Sequence, residues 1–249
     1  MSSSGDSVST VGRRMKAPDL TMLLVLVKWR PSARLWGMLR LPLGTLYPLR
    51  APGLVFQKVL GSGQGGGFGL IPSLSHLGLF CAFEQPSQAS DFLEQSSVIR
   101  SYERHADELA WLLLNPYSIR GAWSGFSPTA HSPPPEEAGP IAALTRASIR
   151  PSKMRAFWSQ SPAAEAELAV AQGCQLAVGL GEAPLLRQAT FSLWESLGHM
   201  DAYARSGAHL RAIQTAYRGE HFSESMFVRF KVMRAGGVWK GASLGTPSP

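Results

Sequence analysis

Cysteine is nearly absent from this 249-residue chain, and the two that occur, Cys81 and Cys174, each sit inside an apolar run. Cysteines embedded in strand-like segments read as small core residues in a reducing compartment, so no structural disulfide is expected. Acidic residues are also scarce, 17 against 24 Lys and Arg, which leaves a formal charge of +7. Such a balance suits either nucleic acid or an anionic membrane surface. The cations are scattered, with no run longer than Arg13-Arg14, and zinc-finger and aromatic RNA-binding signatures are missing. Nucleic acid is therefore not an expected partner.

Long apolar runs are missing too. The most apolar stretch, Leu20 to Val27, ends at Lys28, far short of the roughly 20 residues needed to span a bilayer. Residues 1–18 are rich in Ser and lack the apolar segment of a secretory signal, and read as a disordered leader. There is no G-x-S-x-G elbow, no H-E-x-x-H pair and no Cys/His cluster at zinc spacing. Gly61-Ser-Gly63-Gln-Gly65-Gly66 has the spacing of a dinucleotide-binding turn, but Phe68-Gly69-Leu70-Ile71-Pro72 follows where a helix must open. The segment reads instead as a glycine-rich loop positioned to gate a pocket.

What the chain does contain is itself, twice. Arg30-Pro31-Ser32 recurs as Arg150-Pro151-Ser152 and Gly53-(x)7-Gly61 as Gly173-(x)7-Gly181, both at a spacing of 120. Phe80-x-x-x-Glu84 recurs as Phe191-x-x-x-Glu195, and Gly121-Ala-Trp-x-Gly125 as Gly237-Val-Trp-x-Gly241, at shifted spacings that place insertions in loops. Hydrophobic patterning gives each copy the order strand, helix, strand, strand, helix, strand. In the first copy the strands are Met22 to Val27, Leu54 to Leu60, Leu77 to Phe83 and Leu109 to Leu114, with helices over Ser32 to Leu39 and Ser87 to His105. In the second the strands are Ile141 to Ala147, Gln175 to Leu180, Gln188 to Trp194 and Met226 to Met233, with helices over Ser152 to Gln160 and Leu197 to Tyr217.

That order predicts an α+β fold of two tandem ferredoxin-like (βαββαβ) halves, residues 19–124 and 140–241, joined by a proline-rich linker over 125–139 and followed by a tail over 242–249. A single half leaves one sheet face uncovered, so the halves are expected to close on each other as an intrachain dimeric α+β barrel. Its interior is expected to be an apolar pocket walled by aromatics. Phe191, Trp194 and Tyr203 are candidate lining residues, with Gln188 and the turn carboxylate Glu182 beside them.

Six histidines are available: His76, His105, His131, His199, His209 and His221. His105 and His209 each fall in the second helix of a half, where an imidazole has the placement of an axial haem ligand or of a satisfied core or surface histidine.

The second copy carries a more specific signal. Pro140-Ile-Ala-Ala-Leu-Thr-Arg-Ala-Ser-Ile-Arg-Pro151, Phe157-Trp158, Gly179-Leu-Gly-Glu-Ala-Pro-Leu-Leu-Arg-Gln-Ala-Thr-Phe-Ser-Leu-Trp194 and His209-Leu-Arg-Ala-Ile213 occur in order. They resemble the spheroidene monooxygenase family, the acyclic carotenoid 2-ketolases. The resemblance covers most of residues 139–241 and is fainter in the first half, where the glycine loop departs from it. It implies an oxygen-dependent monooxygenase that hydroxylates C-2 of an acyclic carotenoid such as spheroidene twice to give a 2-ketone. It also implies haem b, O2, a ferredoxin-type electron donor, a cytoplasmic location and peripheral contact with the photosynthetic membrane. On that reading His209 ligates the haem iron, with His105 the alternative, and Arg146, Arg150 or Arg211 pairs a propionate. The net positive charge suits an anionic membrane surface.

Overall fold

The computed structural model describes residues 20–245 apart from residues 47, 70, 131, 136–138, 184, 206, 208, 209, 212, 213 and 216–219. The leader expected over 1–18, His131, His209 and the end of the tail thus lie outside the described residues. Nine strands form: β1 (Thr21–Trp29), β2 (Leu54–Gly63), β3 (Pro72–Phe83), β4 (Ala106–Gly121), β5 (Ile141–Ile149), β6 (Cys174–Ala183), β7 (Arg187–Trp194), β8 (Phe222–Trp239) and the short β9 (Ala242–Ser243). The α-helices whose bounds lie within the described residues are α1 (Arg34–Leu46), α2 (Pro86–Gln95), α3 (Ser97–His105), α4 (Met154–Ala169) and α5 (Leu197–Ala204).

The expected strands are all present, and two are much longer than the sequence pattern marks. β4 and β8 reach 16 and 18 residues because each leaves its own half and pairs with the other, from Ala110↔Gly237 to Gly121↔Met226. The helix expected over Ser87 to His105 is two helices. Ser96 adopts extended backbone, which ends α2, and its hydroxyl then accepts from the Ile99 N–H at 3.1 Å to cap α3. Pro31 and Pro151 each open a 3-10 turn ahead of α1 and α4, where a missing N–H costs nothing.

All neighbouring strands are antiparallel, in the order β4-β1-β3-β2-β6-β7-β5-β8, and the β4–β8 pairing closes the ring into an eight-stranded barrel. The two halves thus have equivalent strand orders, β4-β1-β3-β2 and β8-β5-β7-β6. Their junctions are unequal, since β2 and β6 share only Gly61↔Gly181 and Ser62↔Leu180. The repeated residues occupy matching places. Arg30 donates from its backbone to the His105 carbonyl at 3.1 Å, and Arg150 to the His221 carbonyl at 2.8 Å. The N–H groups of Glu84 and Glu195 reach Gly53 and Gly173, both at 2.9 Å. Gly121 and Gly237 have φ of 85° and 89°, and a β-carbon at either would collide with a carbonyl oxygen of the strand alongside. These pairs show that the counterpart of His105 is His221, not His209.

The barrel interior is solid. Met22, Leu24 and Leu26 meet Phe80, Leu112, Leu144, Val178, Phe191, Val228 and Phe230 in one buried cluster. This corrects the expectation of an open apolar interior: an eight-stranded barrel is just wide enough for its inward side chains to fill it. The outer faces differ between the halves. Under α2 and α3, Leu23, Val25, Val27, Leu79 and Phe83 present apolar side chains, most of them bulky, and the helices pack directly on them. Under α4 and α5 the corresponding face carries Ala143, Thr145, Thr190 and Ser192, and space remains.

Candidate functional site

That space is a cavity of about 450 Å³ between the outer face of the C-terminal sheet and its helices. Its floor follows from strand register. Thr145 lies between Phe227 and Thr190, and Ala143 between Arg229 and Ser192, so two cross-strand rows, small or polar except at Phe227, run side by side. Met200, Tyr203 and Ala204 of α5, with Glu165 and Leu168 of α4, form the roof, and Phe68 closes one end. Arg120 and Arg229 supply positive charge at the lining. Arg229 pairs with Asp201 at 3.1 Å, which in turn holds Arg205 at 2.9 Å. Tyr203 packs against Trp194 with ring centroids 5.2 Å apart. Burial pushes its phenol strongly up, with the Glu167 carboxylate and Cys174 adding, so it stays protonated.

A second cavity of about 510 Å³ lies where the halves meet, between α1 and the β2–β6 junction. Leu41, Pro42, Val59, Trp158 and Leu180 give it apolar walls, while Lys58, Glu182, Arg187 and Gln188 make one side polar. The two cavities are separated by the glycine loop. Ser62 donates from its hydroxyl to the Gly179 carbonyl at 2.6 Å, and the Phe68 N–H donates to Glu165 Oε1 at 3.1 Å. The loop therefore straps across β6, with Phe68 in the first cavity and Gly69 beside the second. A β-carbon on Gly179 would collide with the main chain of Gly67 and Phe68, so close approach requires glycine there.

The sequence candidates are thereby distributed rather than gathered. Trp194 and Tyr203 line the first cavity. Glu182 and Gln188 line the second. Phe191 lines neither; it is fully buried inside the barrel, because it alternates with Thr190 and Ser192 on β7 and faces the other way. Arg146 is likewise turned inward, 2% exposed, by the alternation that turns Ala143 and Thr145 outward. It binds Glu224 and, at 3.0 Å, Glu182, and stacks over Trp123. Lys58 from the other half joins Glu182 at 2.7 Å, and Trp123 donates to the same carboxylate at 3.1 Å. Burial alone would raise the Glu182 pKa, but the hydrogen bonds from Lys58 and Arg146 outweigh it and hold the carboxyl below its ordinary value. Arg146 is thus committed to two carboxylates of its own chain and does not reach the first cavity.

Arg150 is exposed and donates to the Phe222 carbonyl at 3.2 Å. Arg211 is exposed and pairs with Glu167 at 3.8 Å. Neither lines a cavity described here. His105 stacks flat on Trp36 at 4.0 Å, with Nδ1 bonded to the Ser101 carbonyl at 2.8 Å. Its ring is engaged by these contacts and lines neither cavity. Sequence reasoning passed over Phe68, Arg120, Thr145, Glu165, Thr190 and Arg229. The missed signal was period two: in β5, β7 and β8 the residues between the large apolar ones are small, polar or cationic.

Haem b places a flat apolar ring and two carboxylates on its binding site. The described residues of the first cavity fit those demands, with Leu168, Trp194, Phe227 and Phe68 as walls and, for carboxylates, Arg120 and Arg229, the latter shared with Asp201. No group of three or more His, Cys, Asp or Glu side chains suited to a metal ion occurs among the described residues. A haem needs only one axial side chain, and His209 follows α5 by five residues in sequence.

Comparison with known proteins decides the family. No family model matches the chain. A spheroidene monooxygenase of Rubrivivax gelatinosus is 49% identical over 239 residues, spanning 96% of this chain and 92% of that protein. The chain belongs to the spheroidene monooxygenase family. The Rhodobacter capsulatus member is 36% identical over 195 residues, 76% of this chain and 80% of that one. Matches across both halves show that the family likeness extends over the whole barrel, including the first half, where the sequence blocks were faint. In fold, a crystal structure of an aldoxime dehydratase with butyraldoxime has a TM-score of 0.56 over 87% of this chain and 80% of its own, at 11% identity. No helix among the described residues is long and apolar enough to cross a membrane.

Proposed function

We propose that this chain is an oxygen-dependent carotenoid monooxygenase that hydroxylates C-2 of an acyclic carotenoid such as spheroidene, twice, to give the 2-ketone. The observation that carries this reading is the 49% identity to a spheroidene monooxygenase over 96% of the chain. Each hydroxylation consumes one O2, two protons and two electrons from a ferredoxin-type donor. One oxygen atom enters the C–H bond and the other leaves as water; the geminal diol from the second round then loses water to the ketone. Side chains alone cannot activate O2, and haem b, when bound, supplies that chemistry.

His209 is the proposed iron ligand, with Arg229 and Arg120 taking the carboxylate role first assigned to Arg146, Arg150 or Arg211. The chain's own contribution is positioning and exclusion of water. Phe68, Trp194 and Phe227 wall the first cavity, which would hold the haem, and the hydroxyls of Thr145, Thr190 and Ser192 orient polar atoms beside it. Tyr203, whose phenol burial pushes strongly up, stays neutral and can hold a hydrogen bond to an oxygen in the cavity without giving up its proton. The second cavity, about 510 Å³ and walled by Leu41, Val59, Trp158 and Leu180, has room for part of a long polyene and leaves the rest to run outside it. The repeat, the matching hydrogen bonds and the equivalent strand orders support an origin as two tandem ferredoxin-like halves, 19–124 and 140–241, with 125–139 as linker.

The purified protein tests the haem assignment through its absorption spectrum. A Soret band lost in His209→Ala and retained in His105→Ala is expected; a colourless protein with full activity would sink it. Expression in a carotenoid-producing host tests the reaction, with a ketocarotenoid carrying label from 18O2 expected under oxygen and its absence overturning the reading.

A further inference from the structure

The positive charge of the chain comes from one region. Between Asp19 and Glu84 there is no acidic residue, while Lys28, Arg30, Arg34, Arg40, Arg50 and Lys58 fall in that span. Lys28 and Lys58 are paired with carboxylates from elsewhere. Arg34 and Arg50 are exposed and have no ion-pair partner among the described residues. Arg34 opens α1 and Arg50 follows its end, and α1 is unusual in what it exposes. Leu35 is 72% exposed, Leu39 50% and Leu46 70%; at helical spacing these three fall on one face, with Met38 and Pro42 beside them. The opposite side of the helix, through Leu41 and Gly44, walls the second cavity. Ile71 and Leu74, 65% and 58% exposed, flank Pro72 and Ser73 at the lining of the same cavity. Its counterpart α4 carries Glu165 and Glu167 and contributes none of the chain's exposed large hydrophobic residues.

An apolar helix face with cations and no acids has the character of a helix lying in a bilayer interface. We propose that α1 is the membrane-docking element, seated on anionic lipid through Leu35, Leu39 and Leu46 with Arg34 and Arg50 at the headgroups. The second cavity, immediately behind the helix, is then the entrance through which a polyene leaves the bilayer toward the Phe68 strap. This last step rests on the carotenoid reading; the docking itself does not.

Sedimentation of the full chain with vesicles tests it. Phosphatidylcholine vesicles containing phosphatidylglycerol should bind the protein and pure phosphatidylcholine should bind it less. The pair Leu35→Ser and Leu39→Ser should lower binding roughly tenfold or more, Arg34→Gln with Arg50→Gln should remove the preference for the anionic lipid, and Val170→Ser, exposed on the other half, should change nothing. Binding unchanged in the leucine pair would overturn the proposal. So would a dimer in the absence of lipid that dissociates in the same variant, since that assigns the face to a second copy. With carotenoid supplied in vesicles the leucine pair should lose turnover, and in detergent it should keep it. No turnover by the wild-type chain in either form counts against the carotenoid reading alone, while vesicle binding is judged separately.

Discussion

The main-chain N–H of Phe68 donates to Oε1 of Glu165 over 3.1 Å, a bond that joins a loop of the first half to a helix of the second. Glu165→Ala removes that acceptor and leaves the strap held by Ser62 and by its fit over Gly179. A net hydrogen-bond contribution of about 1 kcal/mol makes strap opening roughly fivefold more frequent. Amide exchange over residues 64–69 should quicken accordingly, and more so in Gly179→Ala, where the new β-carbon meets the strap backbone. Exchange rates identical to wild type in both variants would mean that the strap is held by something else.

Phe191 illustrates how a residue can be conspicuous in sequence for the wrong reason. It sits among Leu144, Val178 and Val228 inside the barrel, so Phe191→Ala should cost about 3–5 kcal/mol of stability. The melting temperature should fall by roughly 10 °C, while the product pattern of the surviving folded enzyme stays that of wild type. A changed product with unchanged stability would contradict its place in the core.

The barrel was legible because both of its causes are local. Runs such as Met22 to Val27 declare strands, and the order of elements in each copy fixes which strands pair. The site was less legible because it is created by what the strands omit. Thr145, Thr190 and Ser192 make room precisely by being small, and nothing in a list of reactive residue types marks them. Arg146 fell on the wrong side of β5 for the same reason: one step in a strand reverses the face. The lengths of β4 and β8 depend on each other across more than 100 residues of sequence, a dependence no local pattern carries.

On the proposed haem reading Arg229 pairs a carboxylate in place of Arg150 or Arg211, and loading with haem separates them. Arg229→Ala should weaken haem retention about tenfold, by loss of a charge-assisted hydrogen bond to a carboxylate. Arg150→Ala and Arg211→Ala should retain haem as wild type does, because neither side chain lines the cavity. Titration of the apo protein followed at the Soret band reads all three. A loss confined to Arg150→Ala or Arg211→Ala would move the carboxylates out of this cavity.

The ion cluster at Glu182 ties stability to pH in a direction that can be worked out. Its carboxyl is held below the ordinary value of 4.5 in the folded chain, since hydrogen bonds from Lys58 and Arg146 outweigh the effect of burial. A depressed carboxylate pKa contributes stability that is fully present above the unfolded value and is lost as pH falls through the folded one. Glu182→Gln removes that contribution and leaves Arg146 with Glu224 alone. At pH 7 the variant should be less stable by about 2 kcal/mol, below the usual range for breaking a buried pair because Lys58 is partly exposed and the amide still accepts a hydrogen bond. Below about pH 4.5 the two unfolding curves should converge, as the wild-type carboxylate becomes protonated and the difference between acid and amide disappears. Denaturant unfolding at a series of pH values measures this directly. A gap that stays constant, or widens, into acid would show that Glu182 stabilises the barrel by packing rather than by charge.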